Sequence, residues 1–305
     1  MTLESLKSDL KICKEDPFLF FESTPIKDIL KKCHPDKHLG NESEAEQLFK
    51  EYGAIHDAIG KEKIGAYRVV TKLGRGDISD VYKVEKGEKY FLLKKPYVKA
   101  EVLLKKESSL VKNFVGAKEP FNRLFPVFVG AEGGNYVYEF QNDVVSGSGV
   151  ISQYRDVLDS RHVVWMAKRA LMALGVAHDM GYVNGAVTPD HLLFNKKNHG
   201  CLLTGWIHSG KIGEDIKMVP AKWKHYYPSF AKKTKKLSRE LDVYMLARTM
   251  LDIGGRNIHP RIKKFFDSLV YESQNMIEGD CFALHEELGN VSKMIFGERK
   301  FIELT

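Results

Sequence analysis

The first sixty residues carry apolar side chains at the three- and four-residue spacing of amphipathic helices. The first predicted helix extends from Leu3 to Lys14, and a dense apolar cluster follows at residues 18–21. Thr24-Pro25 predicts the start of a second helix, because a capping hydroxyl precedes a proline in the first turn. A third amphipathic helix is predicted from Glu42 to Ile59. The pattern therefore predicts an all-helical region at the start of the chain.

The second predicted helix has one apolar and one basic face. Its apolar face consists of Ile26, Ile29, Leu30 and Cys33. The other face carries Lys27 and Lys31, with Lys32 beside Lys31. The helix is expected to end at His34-Pro35-Asp36, because proline cannot continue a helix, and Lys37 follows directly. The pattern predicts two helices joined by a loop that contains this tripeptide.

From Tyr67 onward, short apolar runs typical of strands alternate with longer helical patterns. A turn with Gly74 and Gly76 lies between two strand-like runs, and a helix that is apolar on most faces is predicted from Val163 to Met180. Further strands are predicted at 90–94, 136–140, 192–194 and 201–204, and further helices at about 100–113, at 238–247 and through 256–305. These elements predict an α+β fold.

The composition is that of an ordinary globular protein. The 305 residues are 43% apolar, and the net charge of +7 arises from 47 basic and 40 acidic residues. This mixed surface suits an acidic protein partner, and nucleic-acid binding is not expected. The four cysteines are scattered without a C-x-x-C motif, which predicts reduced thiols, a cytoplasmic location and no metal site. We expect neither a signal peptide nor a membrane span, since the first residues include Glu4 and Asp9 and no apolar run is long enough.

The helical region resembles the J domain of the DnaJ family. The resemblance rests on two helices joined by a loop carrying His34, Pro35 and Asp36, with lysines at the end of the first helix. J domains dock on a DnaK-type heat-shock chaperone and stimulate its ATP hydrolysis. The resemblance implies that the tripeptide binds the chaperone together with the basic residues Lys27, Lys31, Lys32 and Lys37. The helix before the tripeptide is shorter than is usual in the family.

The segment that follows resembles the small lobe of a protein kinase. Residues 73–83 are similar to the glycine-rich loop G-x-G-x-x-G-x-V, with Ser79 at the third glycine. The resemblance implies Lys94 as the phosphate-pairing lysine and Glu107 as its partner, and Lys95 is the alternative after a one-residue shift. It also implies Tyr138 as the gatekeeper of a nucleotide site. The candidate nucleotide-binding residues are therefore Gly74, Gly76, Ser79, Val81, Lys94, Glu107, Glu139 and Gln141.

Residues 181–210 resemble the catalytic and metal-binding loops of a kinase but lack their chemistry. Ala186 stands at the position of the catalytic aspartate. His191 replaces the metal-binding asparagine and Gly205 replaces the metal-binding aspartate, although magnesium prefers oxygen ligands. The nearby Asp190 is a candidate for a substitute ligand, but the acidic residue at this position in kinases does not bind the metal. The resemblance therefore implies a pseudokinase without catalytic or metal-binding residues.

Two further segments, 238–247 and 222–239, are predicted to have structural or surface roles. The segment 238–247 resembles the kinase helix whose aspartate anchors the backbone of the catalytic loop, which assigns that role to Asp242. Residues 222–239 are strongly basic and form either a solvated loop or a docking patch for an acidic partner. These basic residues are Lys222, Lys224, His225, Lys232, Lys233, Lys235, Lys236 and Arg239.

The predicted organisation is a J-like helical domain (1–60), a short linker (61–66), a kinase-like small lobe (67–142) and a kinase-like large lobe (143–305). The predicted function is that of a non-enzymatic co-chaperone with no required cofactor, whose pseudokinase part binds an unknown protein client or regulator. One alternative is an unconventional kinase or nucleotide-binding enzyme that retains Lys94 and Glu107. Another is an interaction scaffold with a vestigial tripeptide. The glycines and the Lys94–Glu107 pair either brace the small lobe or bind ATP without a metal.

Overall fold

The structure, a computed structural model of the chain, describes residues 2–117, 119–272, 280–298 and 300–304. At its start are the helices α1 (Leu3–Glu15), α2 (Pro17–Ser23), α3 (Ile26–Lys32) and α4 (Glu42–Lys61). The three predicted helices are confirmed, and α2 forms where only an apolar cluster was expected. The predicted capping role of Thr24 is wrong, because Pro25 occupies the N-cap position of α3 and no side chain caps this helix.

The helices enclose a small hydrophobic core of their own. Leu6, Leu10, Cys13, Ile29, Cys33, Leu48 and Tyr52 are its buried members. Tyr52 is fully buried, and its hydroxyl donates a hydrogen bond to the Leu6 carbonyl over 2.7 Å. This bond ties α4 to α1, because a buried hydroxyl must find an acceptor within the fold.

An antiparallel sheet follows the helices. In the described part of the chain it has six strands in the order β1-β2-β3-β4-β6-β5. These strands are β1 (Lys63–Ile64), β2 (Tyr67–Arg75), β3 (Ser79–Lys86), β4 (Lys89–Pro96), β5 (Phe128–Glu132) and β6 (Asn135–Glu139). β1 lies within the segment 61–66 that was predicted as a linker.

The two faces of this sheet differ in chemistry. One face, here called the apolar face, carries the buried residues Tyr67, Val69, Tyr82, Val84, Leu93 and Val137. Phe18 of α2 packs edge-on against Tyr82 on this face, with ring centroids 6.2 Å apart. The helical region thus packs on the apolar face, and the opposite face carries the intervening residues of each strand.

The chain divides into two compact units. The first unit comprises Met1–Val102 and Val129–Phe140, and the second comprises Leu103–Phe128 and Gln141–Thr305. The remaining helices are α5 (Glu101–Val115), α6 (Gly147–Tyr154), α7 (Ser160–Asp179), α8 (Ser229–Thr234), α9 (Arg239–Gly254), α10 (Pro260–Glu272) and α11 (Cys281–Phe296). The predicted α+β class is confirmed by this alternation of helices and antiparallel strands.

The second unit is built around α7, most of whose residues are buried and which packs against α9 and α11. Its short strands are β7 (Val144–Ser146), β8 (Tyr182–Val183), β9 (Leu192–Asn195), β10 (Cys201–Leu203) and β11 (Gly210–Lys211). The prediction of helix through 256–305 is wrong for 297–298 and 300–304, since Gly297 ends α11 with a φ of 73°. Residues 273–279, 299 and 305 lie outside the described part.

The four cysteines are free thiols, and all of them are buried. Burial raises the pKa of Cys13 and of Cys33 to about 11 and that of Cys201 to about 12. Deprotonated, reactive thiolates are therefore disfavoured at these positions at neutral pH. Among the helices of the described residues, none has the length and apolar character of a membrane span.

We expect Tyr52→Phe to lower the free energy of unfolding of the helical region by about 1 kcal/mol, because it removes one buried hydrogen bond while keeping the ring. Urea denaturation followed by circular dichroism measures this loss. Tyr90→Phe is the matched control, since Tyr90 is 44% exposed in the same unit, and should change stability by less than about 0.5 kcal/mol. Equal effects of the two changes would contradict a structural role for the Tyr52–Leu6 bond.

Candidate functional site

The predicted chaperone-binding tripeptide forms an ordered turn at the end of α3. The buried Cys33 ends this helix, and its N–H donates to the Ile29 carbonyl over 2.9 Å. Residues Pro35–Lys37 then form one turn of 3₁₀ helix. The turn is closed by the Lys37 N–H, which donates to the His34 carbonyl over 3.0 Å. The tripeptide therefore has a defined backbone conformation rather than that of an open loop.

His34 and Asp36 stabilise this turn from within. The Asp36 N–H donates to His34 Nδ1 over 3.4 Å, so that His34 caps the turn, and the Asp36 carboxylate lies 3.5 Å from the same nitrogen. The His34 ring meets Phe49 of α4 edge-on, with ring centroids 6.2 Å apart. Farther along, the His38 ring lies 2.8 Å from the Lys32 carbonyl. The imidazole of His34 thus accepts a hydrogen bond from the backbone of the turn and also packs against α4.

The side chains of this turn are accessible. The Asp36 side chain is 87% exposed and the His34 side chain 50%. The basic residues predicted to act with them are also exposed, namely Lys27, Lys31, Lys32 and Lys37. The structure therefore brings all the predicted chaperone-binding residues together on α3 and the adjoining turn. In this stretch the Asp36 carboxylate is close in sequence to several exposed ammonium groups, and Asp28 of α3 is also exposed.

Among the candidate nucleotide-binding residues of the first unit, Gly74, Val81 and Lys94 lie on the second face of the sheet, whereas Glu139 is paired with Phe91 and lies on the apolar face. Gly74 is paired with Val81, Val81 with Lys94, and Lys94 with Tyr136 in neighbouring strands. Cross-strand partners point to the same face, so these four residues form one row on what we call the lysine face. Lys95 lies on the opposite face, beside Asp80. The register thus favours Lys94 over Lys95 as the functional lysine.

The glycine at position 74 borders a register shift between β2 and β3, and it leaves open space beside the strand. Its φ is not positive, and a Cβ atom there would meet nothing within 4 Å. A glycine within a strand costs roughly 0.5–1 kcal/mol relative to alanine, and it is typical of a bulge or of a place where a ligand or another backbone approaches closely. Gly76 differs, because its Cβ would lie 3.2 Å from the Ser79 carbonyl oxygen.

The other candidates for this site are only partly assembled within one unit. Lys94 lies over the Tyr138 ring, with Nζ 5.0 Å from the centroid, and Tyr138 itself is buried. Ser79 is buried at the start of β3 and Glu139 is exposed at the end of β6. Glu107, which is 2% exposed in α5, and Gln141 belong to the second unit. The pairing of Lys94 with Glu107 stays a prediction.

In the second unit, one buried carboxylate organises the loop that contains Ala186. Asp242 is fully buried and accepts hydrogen bonds from the backbone N–H groups of Asn184 over 2.8 Å and Gly185 over 2.7 Å. Its Oδ2 also lies 3.0 Å from His178 Nε2. The predicted anchoring role of Asp242 is confirmed. The sequence analysis did not identify His178 or Tyr227 as residues that hold this loop. The Tyr227 hydroxyl donates a hydrogen bond to the Gly185 carbonyl.

At the two positions where the kinase pattern has metal ligands, the His191 ring fills the space that a side chain at Gly205 would need. His191 Nδ1 lies 2.7 Å from the Ala186 carbonyl oxygen, which holds the ring in place. Gly205 has a φ of 77°, and a Cβ atom there would lie 2.5 Å from Nδ1 of the same ring. No side chain fits at position 205 while His191 keeps this conformation. A carboxylate metal ligand at 205 is therefore excluded by the neighbouring imidazole.

Asp190 is engaged in protein contacts. Its carboxylate accepts hydrogen bonds from Trp223 Nε1 over 2.7 Å, from Lys222 Nζ over 2.8 Å and from the Ser148 hydroxyl. Burial raises the pKa of Asp190, but the hydrogen bonds from Lys222, Ser148 and Trp223 outweigh burial and lower the pKa below its ordinary value. Asp190 thus serves as an anchor for Lys222 and Trp223.

The basic segment 222–239 is mostly exposed. Lys236 Nζ lies 2.8 Å from Asp215, and Arg239 donates to the His178 carbonyl over 3.3 Å. The exposed members also include Lys224, Lys232, Lys233 and Lys235. Within the described ranges, no group of three or more His, Cys, Asp or Glu side chains is placed to hold a metal ion. No protein-family model matches this chain, and no curated protein matches it.

The overlap between positions 191 and 205 leads to a prediction. Gly205→Ala should cost more stability than Gly213→Ala, because both glycines have a positive φ but a Cβ atom at 213 meets nothing within 4 Å. The shared backbone cost is about 1–2 kcal/mol, and overlap with His191 should add about 1–3 kcal/mol. Chemical denaturation of the full chain carrying either change measures the loss in the free energy of unfolding.

A double-mutant cycle isolates the contribution of the ring. In a His191→Ala background, Gly205→Ala should cost no more than Gly213→Ala does, because the overlapping imidazole is gone. An undiminished cost of Gly205→Ala in that background would show that His191 is not what excludes a side chain at 205.

Proposed function

We propose that this protein is a J-domain-like co-chaperone that recruits a DnaK-type chaperone and stimulates its ATP hydrolysis. The observation that carries the proposal is the turn at His34-Pro35-Asp36, which is ordered by its own hydrogen bonds while the Asp36 carboxylate is 87% exposed. The hydrogen bonds fix the backbone of the turn and so the place at which the Asp36 carboxylate enters solvent, where it contributes little to stability. It is well suited to pair with a cation of a partner at low entropic cost.

The neighbouring lysines add to this argument. Lys27, Lys31, Lys32 and Lys37 are exposed around the turn, so that a partner with acidic groups is attracted and oriented before contact. The resemblance to J domains assigns this role to the same residues. The kinase-like part serves in this proposal as the module that binds a client or a regulator. That role is consistent with Ala186 at the position of a catalytic base and with the exclusion of a carboxylate at position 205.

The test is steady-state ATP hydrolysis by a DnaK-type chaperone in the presence of the full chain. We expect stimulation by the wild-type protein and its loss, by at least about tenfold, in His34→Gln and in Asp36→Asn. Asp28→Asn is the matched control, because Asp28 is an exposed aspartate on α3 outside the turn, and it should stimulate like the wild type. The variants lie in an exposed turn, so circular dichroism should show unchanged folding.

Absence of stimulation across several DnaK-type chaperones would refute the co-chaperone proposal. The tripeptide would then be a structural turn, and the interaction scaffold with a vestigial tripeptide would be the better description. Stimulation that survives in both His34→Gln and Asp36→Asn would also refute the assignment of the turn as the contact.

A second candidate function is binding of ATP without a metal on the lysine face. The specific observation is the row of Gly74, Val81 and Lys94 across three strands, with open space above Gly74. In this proposal Lys94 pairs with the phosphates and the Gly74 backbone permits their close approach. A bound nucleotide would act as a conformational ligand, because no catalytic base is present at position 186.

This candidate is tested by calorimetric titration with ATP in the presence of EDTA. Lys94→Met should weaken binding about 10- to 100-fold, as expected for a lost charge-assisted hydrogen bond. Lys95→Met should leave binding unchanged, since Lys95 lies on the other face of the same strand. No binding by the wild type would refute the candidate. Transfer of labelled phosphate that is lost in Lys94→Ala would instead support the unconventional kinase.

A further inference from the structure

A chain of charged and polar groups runs from the helical region to the glycine hairpin between β2 and β3. Lys72 of β2 lies at its centre, with Nζ 3.4 Å from Asp16 Oδ2 and 3.4 Å from Asp80 Oδ1. Asp16 is the residue between α1 and α2, whereas Asp80 belongs to β3. We call these three residues the charged clamp. It joins an end of the helical region to both strands of the hairpin.

Tyr97 extends the clamp to the tip of the hairpin. Its hydroxyl lies 3.2 Å from Asp80 Oδ1 and 3.2 Å from the Gly76 carbonyl oxygen, and its single hydrogen can be donated to one of them at a time. The hydroxyl oxygen of Tyr97 also accepts a hydrogen bond from Arg75 Nε over 3.2 Å. The backbone N–H of Tyr97 donates to the Ile78 carbonyl over 2.9 Å. The tip is thus held by Tyr97 through both its side chain and its backbone.

The three side chains of the clamp are partly shielded from water, which strengthens the electrostatic attraction between them. The side chains of Lys72, Asp80 and Asp16 are 19%, 24% and 34% exposed. Burial lowers the pKa of Lys72, but the attraction of Asp16 and Asp80 outweighs burial and raises the pKa above its ordinary value. The ammonium group therefore stays charged at neutral pH. Loss of Asp16 would leave it with fewer compensating charges in a partly buried position.

An apolar contact lies directly beside the clamp. Phe18, two residues after Asp16, packs on Tyr82, and Tyr82 is the cross-strand partner of Lys72. The packing of α2 on the sheet and the charged clamp thus meet the hairpin at the same place. On the opposite face, the same two strands carry Gly74 and Val81, which belong to the candidate nucleotide site. The hairpin is held from one face and offers a binding surface on the other.

We propose that the charged clamp couples the two faces, so that a phosphate-bearing ligand on the lysine face and the packing of α2 on the apolar face stabilise each other. The coupling to ligand rests on the second candidate function above. By linkage, a ligand that orders the hairpin must strengthen helix packing by the same factor by which helix packing strengthens ligand binding. Asp16 and Lys72 act in this proposal as positioning residues for Gly74 and Gly76.

The test is hydrogen exchange of the full chain, followed by mass spectrometry, with and without millimolar ATP in EDTA. The variant is Asp16→Asn, which keeps the shape of the side chain and removes its charge, and Asp28→Asn is the matched control on α3. Without ATP, Asp16→Asn should speed exchange at residues 72–80 and 3–23 by roughly two- to fivefold, as expected for a partly exposed ion pair. Asp28→Asn should leave both segments at the wild-type rate.

With ATP, exchange in the wild type should slow in both segments, and in Asp16→Asn it should slow at residues 72–80 alone. Slowing at residues 3–23 that persists in Asp16→Asn would overturn the clamp as the route of coupling. Unchanged exchange at 72–80 in ligand-free Asp16→Asn would overturn the clamp itself. If ATP changes hydrogen exchange neither in the wild type nor in the variants, nucleotide binding and its coupling are both refuted. The comparison without ATP still decides whether the clamp holds the hairpin.

Discussion

The alternation of side chains along the β-strands is the constraint on which the first unit depends. Because neighbouring residues point to opposite faces, β3 places Tyr82 and Val84 against the helical region and Val81 on the lysine face. A shift of one residue in the register would exchange these two sets and would bury Lys94 among aromatic and aliphatic side chains. The same register therefore determines both where the helices pack and which of Lys94 and Lys95 lies on the lysine face.

The second unit depends on a buried charge in a comparable way. Asp242 is fully buried, which is tolerable only because two backbone N–H groups and His178 surround its carboxylate. The conformation of residues 184–186 is thus maintained by contacts that require no catalytic residue in the loop. The loop therefore keeps a specific shape without the catalytic and metal-binding residues that the kinase pattern has at positions 186 and 191. The shape of the loop and its chemistry are separable.

Much of the local structure was predictable from the sequence, because it follows from short-range patterns. The spacing of Ile26, Ile29 and Cys33 predicts the face of α3 that enters the core, and Pro35 predicts where that helix ends. The pair Gly74 and Gly76 predicts the hairpin, and the resemblance to kinases identified Asp242 as an anchor. Each of these features involves residues close in sequence or a motif with a known spacing.

The remaining features depend on contacts between distant segments, which no local pattern contains. The charged clamp joins Asp16 to residues far along the chain, and nothing around Lys72 distinguishes it from other lysines of the sequence. The packing of Phe18 on Tyr82 likewise requires the sheet to exist before α2 has a surface to cover. The exclusion of a side chain at Gly205 depends on the orientation of the His191 ring, which is set by the Ala186 carbonyl.

The placement of the helical region also bears on how the two proposed activities coexist in one unit. Packing on the sheet involves α2 and α4, whereas the turn with Asp36 follows α3, which packs against α4. The residues that hold the helical region on the sheet are therefore different from those proposed to contact a chaperone. A partner bound at the turn need not displace the charged clamp, and a ligand on the lysine face need not cover Asp36. In this arrangement a ligand would influence a chaperone-binding surface through the stability of helix packing rather than by competition for the same residues.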